Sequence, residues 1–285
     1  MRIQQMSDHS SNWQRLQLNS ALISWLLDSD PAIRWQVMRD LTAAPADEVA
    51  DERGRVATEG WVRSCSPCRE VTASGEVRHG TAGGTQRCTC SCCCDMGLDP
   101  ASDQAIRALR LVRDKVTWKG CGPQECDRNT FFEGEIEPCI NEQVGAVGAY
   151  FEQDVRGIIE RLLSEQLPDG GWNCKAVNGS SRSSFNTTIC VLEALLEYER
   201  ADRGTPEVTG ARLRGQEYLR KAGVAPDERA AEAIDLVASK RDGDGRWTLE
   251  TRYPGVMPVE IDEGEGKPSR WITLRALRVL DWYTA

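Results

Sequence analysis

Apolar residues recur at helical spacing along most of the chain, and the rhythm starts where helix caps belong. In "DSDPAIRWQVMRDL" Asp30 is placed as an N-cap, and Pro31 stands at the first helical position, where its missing N–H costs nothing. "SDQAIRALRLVRDKV" repeats apolar groups at Ile106, Leu109, Val112 and Val116, and "DVRGIIERLLSEQL" does so at Val155, Ile158, Ile159, Leu162 and Leu163. "TPEVTGARLRGQEYL" and "DERAAEAIDLVASK" predict two more amphipathic helices with a polar face. "NTTICVLEALLEYE" and "ITLRALRVLDWY" are more evenly apolar, which predicts helices buried around much of their circumference. No run alternates like a strand of useful length, so the expected class is all-α.

An internal repeat organises these helices. Residues 164–196 and 239–280 each read as an amphipathic helix, a tight Asp-Gly turn, a tryptophan (Trp172, Trp247), a polar loop, an aromatic-x-Thr helix start (Phe185–Thr187, Trp271–Thr273) and an apolar helix. Asp and Gly supply the turn, and a tryptophan can plug helix ends with its large apolar face. The same aromatics, Trp172, Phe185, Tyr253 and Trp271, are alternatively candidates to line an apolar cavity and to face a cation with their rings.

Charge and length narrow the function classes. The 285 residues suffice for one large domain or two small ones, and a net charge of −9 without a basic stripe argues against nucleic acid as a partner. No apolar run reaches the ~18 residues of a membrane span, and the first residues lack the apolar core of a secretory signal, so the expected location is cytoplasmic. A disulfide framework is not expected in that reducing compartment.

The cysteines then need another account, because seven of the twelve lie between Cys65 and Cys94. As a zinc knuckle, Cys65 and Cys68 would pair with Cys88 and Cys90 around His79, but the second pair is one residue short of the usual spacing, and the run Cys92 to Cys94 cannot all face one ion. The genetic code offers a different reading. Cysteine codons begin TG, so a frame one base earlier ends each of these codons in TG and encodes Leu, Val or Met. The cysteine cluster becomes an apolar cluster, and suitable silent bases permit a further Asp-Gly-x-Trp turn where the repeat is due. Residues 62–94 are therefore expected to lie between two compensating frame changes, inside a domain spanning 21–285 that follows a flexible extension, 1–20.

The paired motifs "SEQLPDGGWNC" and "SKRDGDGRW", each followed by an apolar helix, resemble the terpenoid cyclase and protein prenyltransferase superfamily, often described as squalene cyclase-like. "DPAIRWQVMRDL", "RSSFNTTICVLEALLEYE", "ETRYPGV" and "GEGKPSRWITLRALRVLDWY" resemble, more narrowly, bacterial prenyltransferase-like proteins. The resemblance covers about residues 20–60 and 96–285. It implies an α/α toroid, a barrel of alternating inner and outer helices around a cavity for an isoprenoid or other apolar small molecule. The Asp-rich D-x-D-D acid of the cyclases is missing, since "DSDP" at 28–31 and "DGDG" at 242–245 do not fit it. Protein prenyltransferases hold Zn²⁺ through an acid-x-Cys pair and a later His. Here Glu137 and Cys139 provide such a pair and Cys174 a further thiolate, so Zn²⁺ is the cofactor these residues admit. The resemblance implies histidines where this chain has Asn186 and near Pro258, and the only histidines are His9 and His79. The alternative is that Cys139, Cys174 and Cys190 are small buried residues of inner helices.

Two more expectations follow. The loop carrying Arg252, Glu260, Asp262, Glu263, Lys267 and Arg270 gathers charge where ligand groups collect at a barrel mouth, and it is equally a solvated loop. The alternation of the resemblance requires an inner helix between 206–219 and 228–240, and this chain has none, which makes the toroid incomplete and the protein a degenerate copy. The expected function is an enzyme, or former enzyme, acting on an isoprenoid or other apolar substrate. The alternatives are a non-catalytic helical binding scaffold and a zinc-knuckle protein.

Overall fold

Local side chains set the helix starts. Asn19 Oδ1 accepts the Ala21 N–H at 2.8 Å and opens α1 (Ser20–Leu27), and Asp30 Oδ1 accepts the Ala32 N–H at 2.9 Å and opens α2 (Pro31–Asp40). The computed structural model describes residues 19–64, 76–78, 93–119, 129–221, 228–252 and 259–284. Further helices among them are α3 (Ala46–Gly54), α4 (Gly60–Ser64), α5 (Asp103–Lys115), α6 (Pro138–Tyr150), α7 (Arg156–Ser164), α8 (Phe185–Tyr198), α9 (Pro206–Lys221), α10 (Glu228–Ser239) and α11 (Arg270–Thr284). Among the described residues the fold is all-α apart from one parallel pair of three-residue strands, β1 (Glu76–Arg78) and β2 (Thr117–Lys119), too short for alternation to signal.

Two compact units can be distinguished, Met1–Trp61 with Pro226–Ala285, and Val62–Ala225. In the first, α1, α2, α10 and α11 bury Leu22, Leu26, Ile33, Val37, Ile234, Trp247, Leu274 and Leu277 together. In the second, α6 lies along α8, with Gly145 opposite Ala194, so that small residues let the two backbones approach. α6 carries buried residues around much of its surface, whereas α8, expected from 186–199 to be buried around much of its circumference, buries Thr187, Thr188, Val191, Ala194, Leu195 and Tyr198 on one face and leaves Ile189 exposed on the other.

The repeat closes through one hydrogen-bond pattern, once in each unit. In the second unit the Trp172 N–H donates to Thr188 Oγ1 at 3.0 Å, its indole Nε1–H to the Leu162 carbonyl at 2.6 Å, and the Ser184 N–H to the Trp172 carbonyl at 2.8 Å. In the first unit the Trp247 N–H donates to Thr273 Oγ1 at 3.0 Å, its indole to the Val237 carbonyl at 2.7 Å, and the Ser269 N–H to the Trp247 carbonyl at 2.8 Å. Each indole therefore satisfies a carbonyl in the last turn or so of the preceding helix, α7 or α10, where a helix leaves acceptors unpaired. This pattern corrects the sequence register. Thr188, not Thr187, matches Thr273, so Phe185 stands where the other repeat has Arg270, and Asn186 where it has Trp271.

The same register relates the helices that lie against α8 and α11. "EIEPCINEQV" at 135–144 and "DSDPAIRWQV" at 28–37 place Glu137 opposite Asp30, Pro138 opposite Pro31 and Cys139 opposite Ala32, and each opens its helix with the proline at the first position. Cys174, two residues after Trp172, matches Leu249, two after Trp247.

Candidate functional site

The loop before α6 is fixed from below. Asn141, fully buried in the first turns of α6, accepts the Glu135 N–H at 2.7 Å and returns its own amide to the Glu135 carbonyl at 2.6 Å. Glu135 is itself buried, and its carboxylate accepts the Glu137 N–H at 2.9 Å. Gly134 precedes this lock at φ +75°, and a Cβ there would stand 2.5 Å from Asn141 Oδ1, so no side chain fits. The result is a loop that presents Glu137 and Cys139 at the start of α6.

Cys174 arrives from the loop behind Trp172. Asn173 folds that loop, its amide reaching Ser180 Oγ at 3.0 Å and the Arg182 carbonyl at 2.7 Å, while its Oδ1 accepts the Lys175 N–H at 2.9 Å. Gly171 permits the close approach, because a Cβ there would meet Thr188 Oγ1 at 2.5 Å and Ser183 Cβ at 2.7 Å. Cys174 Sγ then lies 3.5 Å from Thr187 Oγ1, a buried hydroxyl in the first turn of α8.

These elements bring Glu137, Cys139 and Cys174 together, with one carboxylate oxygen and two sulfurs all within 4.8 Å of one another. Cys139 Sγ is 3.7 Å from Glu137 Oε2. At a tetrahedral Zn²⁺ with bonds of ~2.3 Å to sulfur, two sulfurs stand ~3.8 Å apart, so the donor set is close to what zinc requires in both chemistry and spacing. Three protein ligands would leave a fourth position open, the arrangement of catalytic rather than structural zinc.

The thiols differ in acidity. A hydrogen bond from the Cys139 thiol, reinforced by the Thr187 hydroxyl and the Cys139 backbone N–H, lowers the Cys174 thiol to about 6, against the opposing effect of burial. Hydrogen bonding to Cys174 raises the Cys139 thiol, as does burial. The hydrogen bond between the two sulfurs thus favours losing a first proton from the pair and disfavours losing the second. Cys190, one turn along α8 from Thr187, is pushed up to about 11 by burial and by the carboxylates of Glu142 and Glu193.

The other residues singled out from the sequence are placed differently. Trp172 is fully buried and engaged with Leu162 and Thr188, where it packs the repeat. Phe185 is exposed at the start of α8, its ring 5.8 Å from that of Tyr218. Arg270 donates to the Trp25 carbonyl at 3.1 Å and to Glu263 at 3.1 Å, with its guanidinium 4.7 Å from the centre of the Trp25 ring. Trp271 is half-buried beneath Arg275. Tyr253 lies outside the described residues, as do Cys65, Cys68, His79, Cys88, Cys90 and Cys92.

The first unit has its own concavity at the matching position, of about 290 Å³, lined among others by Asp30, Trp61, Glu260, Asp262, Glu263 and Arg270. Asp30 accepts the Trp61 N–H at 2.7 Å as well as capping α2, and burial raises its pKa despite both bonds. It contains no sulfur. The Glu135–Asn141 lock and the part played by Thr187 escape the sequence reading. The likeness of 28–37 and 135–144, which share Pro, Ile, Gln and Val at matching positions and an acid before each proline, is the signal that points to this second site. Comparisons with protein-family models, with curated proteins and with solved structures find no match. Among the described residues no helix is long and apolar enough to cross a membrane.

Proposed function

We propose that the chain is a zinc-dependent, squalene cyclase/prenyltransferase-like protein acting on an isoprenoid or other apolar substrate, with Glu137, Cys139 and Cys174 as the metal ligands. The supporting observation is the convergence of those three donor atoms to within 4.8 Å from two loops far apart in sequence. Bound there, zinc would act as a Lewis acid that lowers the pKa of a thiol or water in the open position. The chain's own residues do the rest. The Glu135–Asn141 lock orients Glu137, and the Thr187 hydroxyl aims the Cys174 sulfur. In this reading α6 and α8 are inner helices of an α/α toroid that lacks one inner helix.

Metal content of the purified chain tests the reading. One zinc per chain is expected, lost in Cys139→Ser and in Cys174→Ser and kept in Cys190→Ser. Zinc that survives both substitutions but disappears when Cys65 to Cys94 are replaced would overturn it in favour of a zinc knuckle. A second reading, a binding scaffold without turnover, is favoured by Asn186, an exposed amide at the position where the resemblance implies a histidine. It predicts saturable binding of an isoprenoid diphosphate with no product, whether or not zinc is present.

A further inference from the structure

We propose that Cys174 and Cys139 form a peroxide-responsive thiol pair, in which a hydroperoxide oxidises Cys174 and Cys139 resolves it to a disulfide. The inference shares its residues with the zinc reading and gives that site a regulation, because a disulfide offers no thiolate to a metal. The two sulfurs lie within 4.8 Å of each other, Cys139 at the start of α6 beside the Asn141 lock and Cys174 in the loop that the Asn173 turn folds. Thr187 Oγ1 lies 3.5 Å from the Cys174 sulfur, whereas the Cys139 sulfur lies 3.7 Å from the Glu137 carboxylate, so Cys174 is the better placed of the two to act as nucleophile. Both cysteines are half-buried, open to a small polar oxidant.

The chemistry balances with residues already in contact. The Cys174 thiolate attacks one oxygen of the peroxide, a sulfur–oxygen bond forms as the O–O bond breaks, and the departing hydroxide or alkoxide takes up a proton. Cys174 is then a sulfenic acid. Cys139 sulfur attacks it, the S–S bond forms, the S–O bond breaks, and hydroxide leaves as water with the Cys139 proton. Glu137 Oε2, 3.7 Å from Cys139 Sγ, is placed to relay that proton. Two thiols are oxidised and one peroxide is reduced. Cys190, set among the carboxylates of Glu142 and Glu193, serves as the internal control.

The test treats the full chain, chelator-stripped and zinc-loaded, with a small excess of hydrogen peroxide and maps each cysteine by alkylation and peptide mass spectrometry. A Cys139–Cys174 disulfide is expected in the stripped protein, and zinc should leave the loaded protein as fast as that disulfide forms. In Cys139→Ser, dimedone should trap sulfenic acid at Cys174 on the order of tenfold above the unsubstituted chain, because the resolving thiol is gone. Cys190→Ser should behave as the unsubstituted chain. Oxidation confined to the thiols of Cys65 to Cys94, or no rise in trapped Cys174 in Cys139→Ser, would overturn the pair. A chain that binds zinc at Cys139 and Cys174 yet forms no disulfide also defeats it while leaving the zinc reading intact. A disulfide in a chain that never holds zinc supports the pair and defeats the zinc reading alone.

Discussion

The two units use one scaffold for different ends. Around Trp172 and Trp247 three hydrogen bonds match, yet Trp172 lies 16 residues before its threonine partner and Trp247 lies 26 before its own. The shorter loop turns tightly after Asn173 and leaves Cys174 beside Thr187. The longer loop folds back on itself, with Leu249 bonded to Lys267 at 2.9 Å and to Gly266 at 2.8 Å, and brings carboxylates to Asp30 instead of sulfur. The repeat supplies stability in both copies. The donor set of Glu137, Cys139 and Cys174 belongs to one.

Removing the shared tryptophan is the strongest way to break this comparison. Trp172→Ala and Trp247→Ala should each cost about 3–5 kcal/mol in denaturant unfolding, through lost burial and an orphaned helix-end carbonyl. Trp172→Ala should also weaken zinc binding, since Cys174 is two residues away, whereas Trp247→Ala should leave zinc affinity unchanged where the protein remains folded. Equal losses of zinc in both would show that the two copies do not divide the labour as argued.

A smaller change separates support of the site from support of the fold. Asn141→Ala removes the two bonds that hold Glu135 and releases the loop carrying Glu137, so zinc affinity should fall roughly 10–100-fold by competition with a chelating dye. Unfolding should shift by only about 1–3 kcal/mol, the usual cost of stranding buried polar groups. Ala32, the counterpart of Cys139, gives the first unit no such ligand to lose.

Helix starts and the repeat were legible because they depend on neighbours in sequence. Asp30 caps α2 with Pro31 first, as the pattern implies, and Glu137 and Cys139 sit two apart at one helix start, where their proximity is local. The approach of Cys174 was legible only through the resemblance, because it needs α8 to lie along α6 and the Asn173 turn to close. The one-residue slip in the repeat has a physical origin too. Thr187 and Thr188 are adjacent and both buried, so only the bond from Trp172 decides which is the partner. β1 and β2, three residues each, carry no periodicity at all.

The gentlest test concerns Asp30, the residue that stands where the sulfur-bearing unit has Glu137. It caps α2 and accepts the Trp61 N–H, and Asp30→Ala should cost about 1 kcal/mol or somewhat more. The pH dependence of that cost discriminates between burial and hydrogen bonding. Burial raises the Asp30 pKa, while the Ala32 and Trp61 amides and Arg34 pull it down without prevailing. The folded chain therefore binds this proton more tightly than the unfolded chain, and Asp30 contributes most below its unfolded pKa of about 4. Its contribution declines as pH rises through the folded value. The difference in unfolding free energy between the unsubstituted chain and Asp30→Ala should accordingly be larger near pH 4 than near pH 7. A difference that grows toward neutral pH would mean that the two amides outweigh desolvation, and that this acidic concavity favours a carboxylate, as a cation site would.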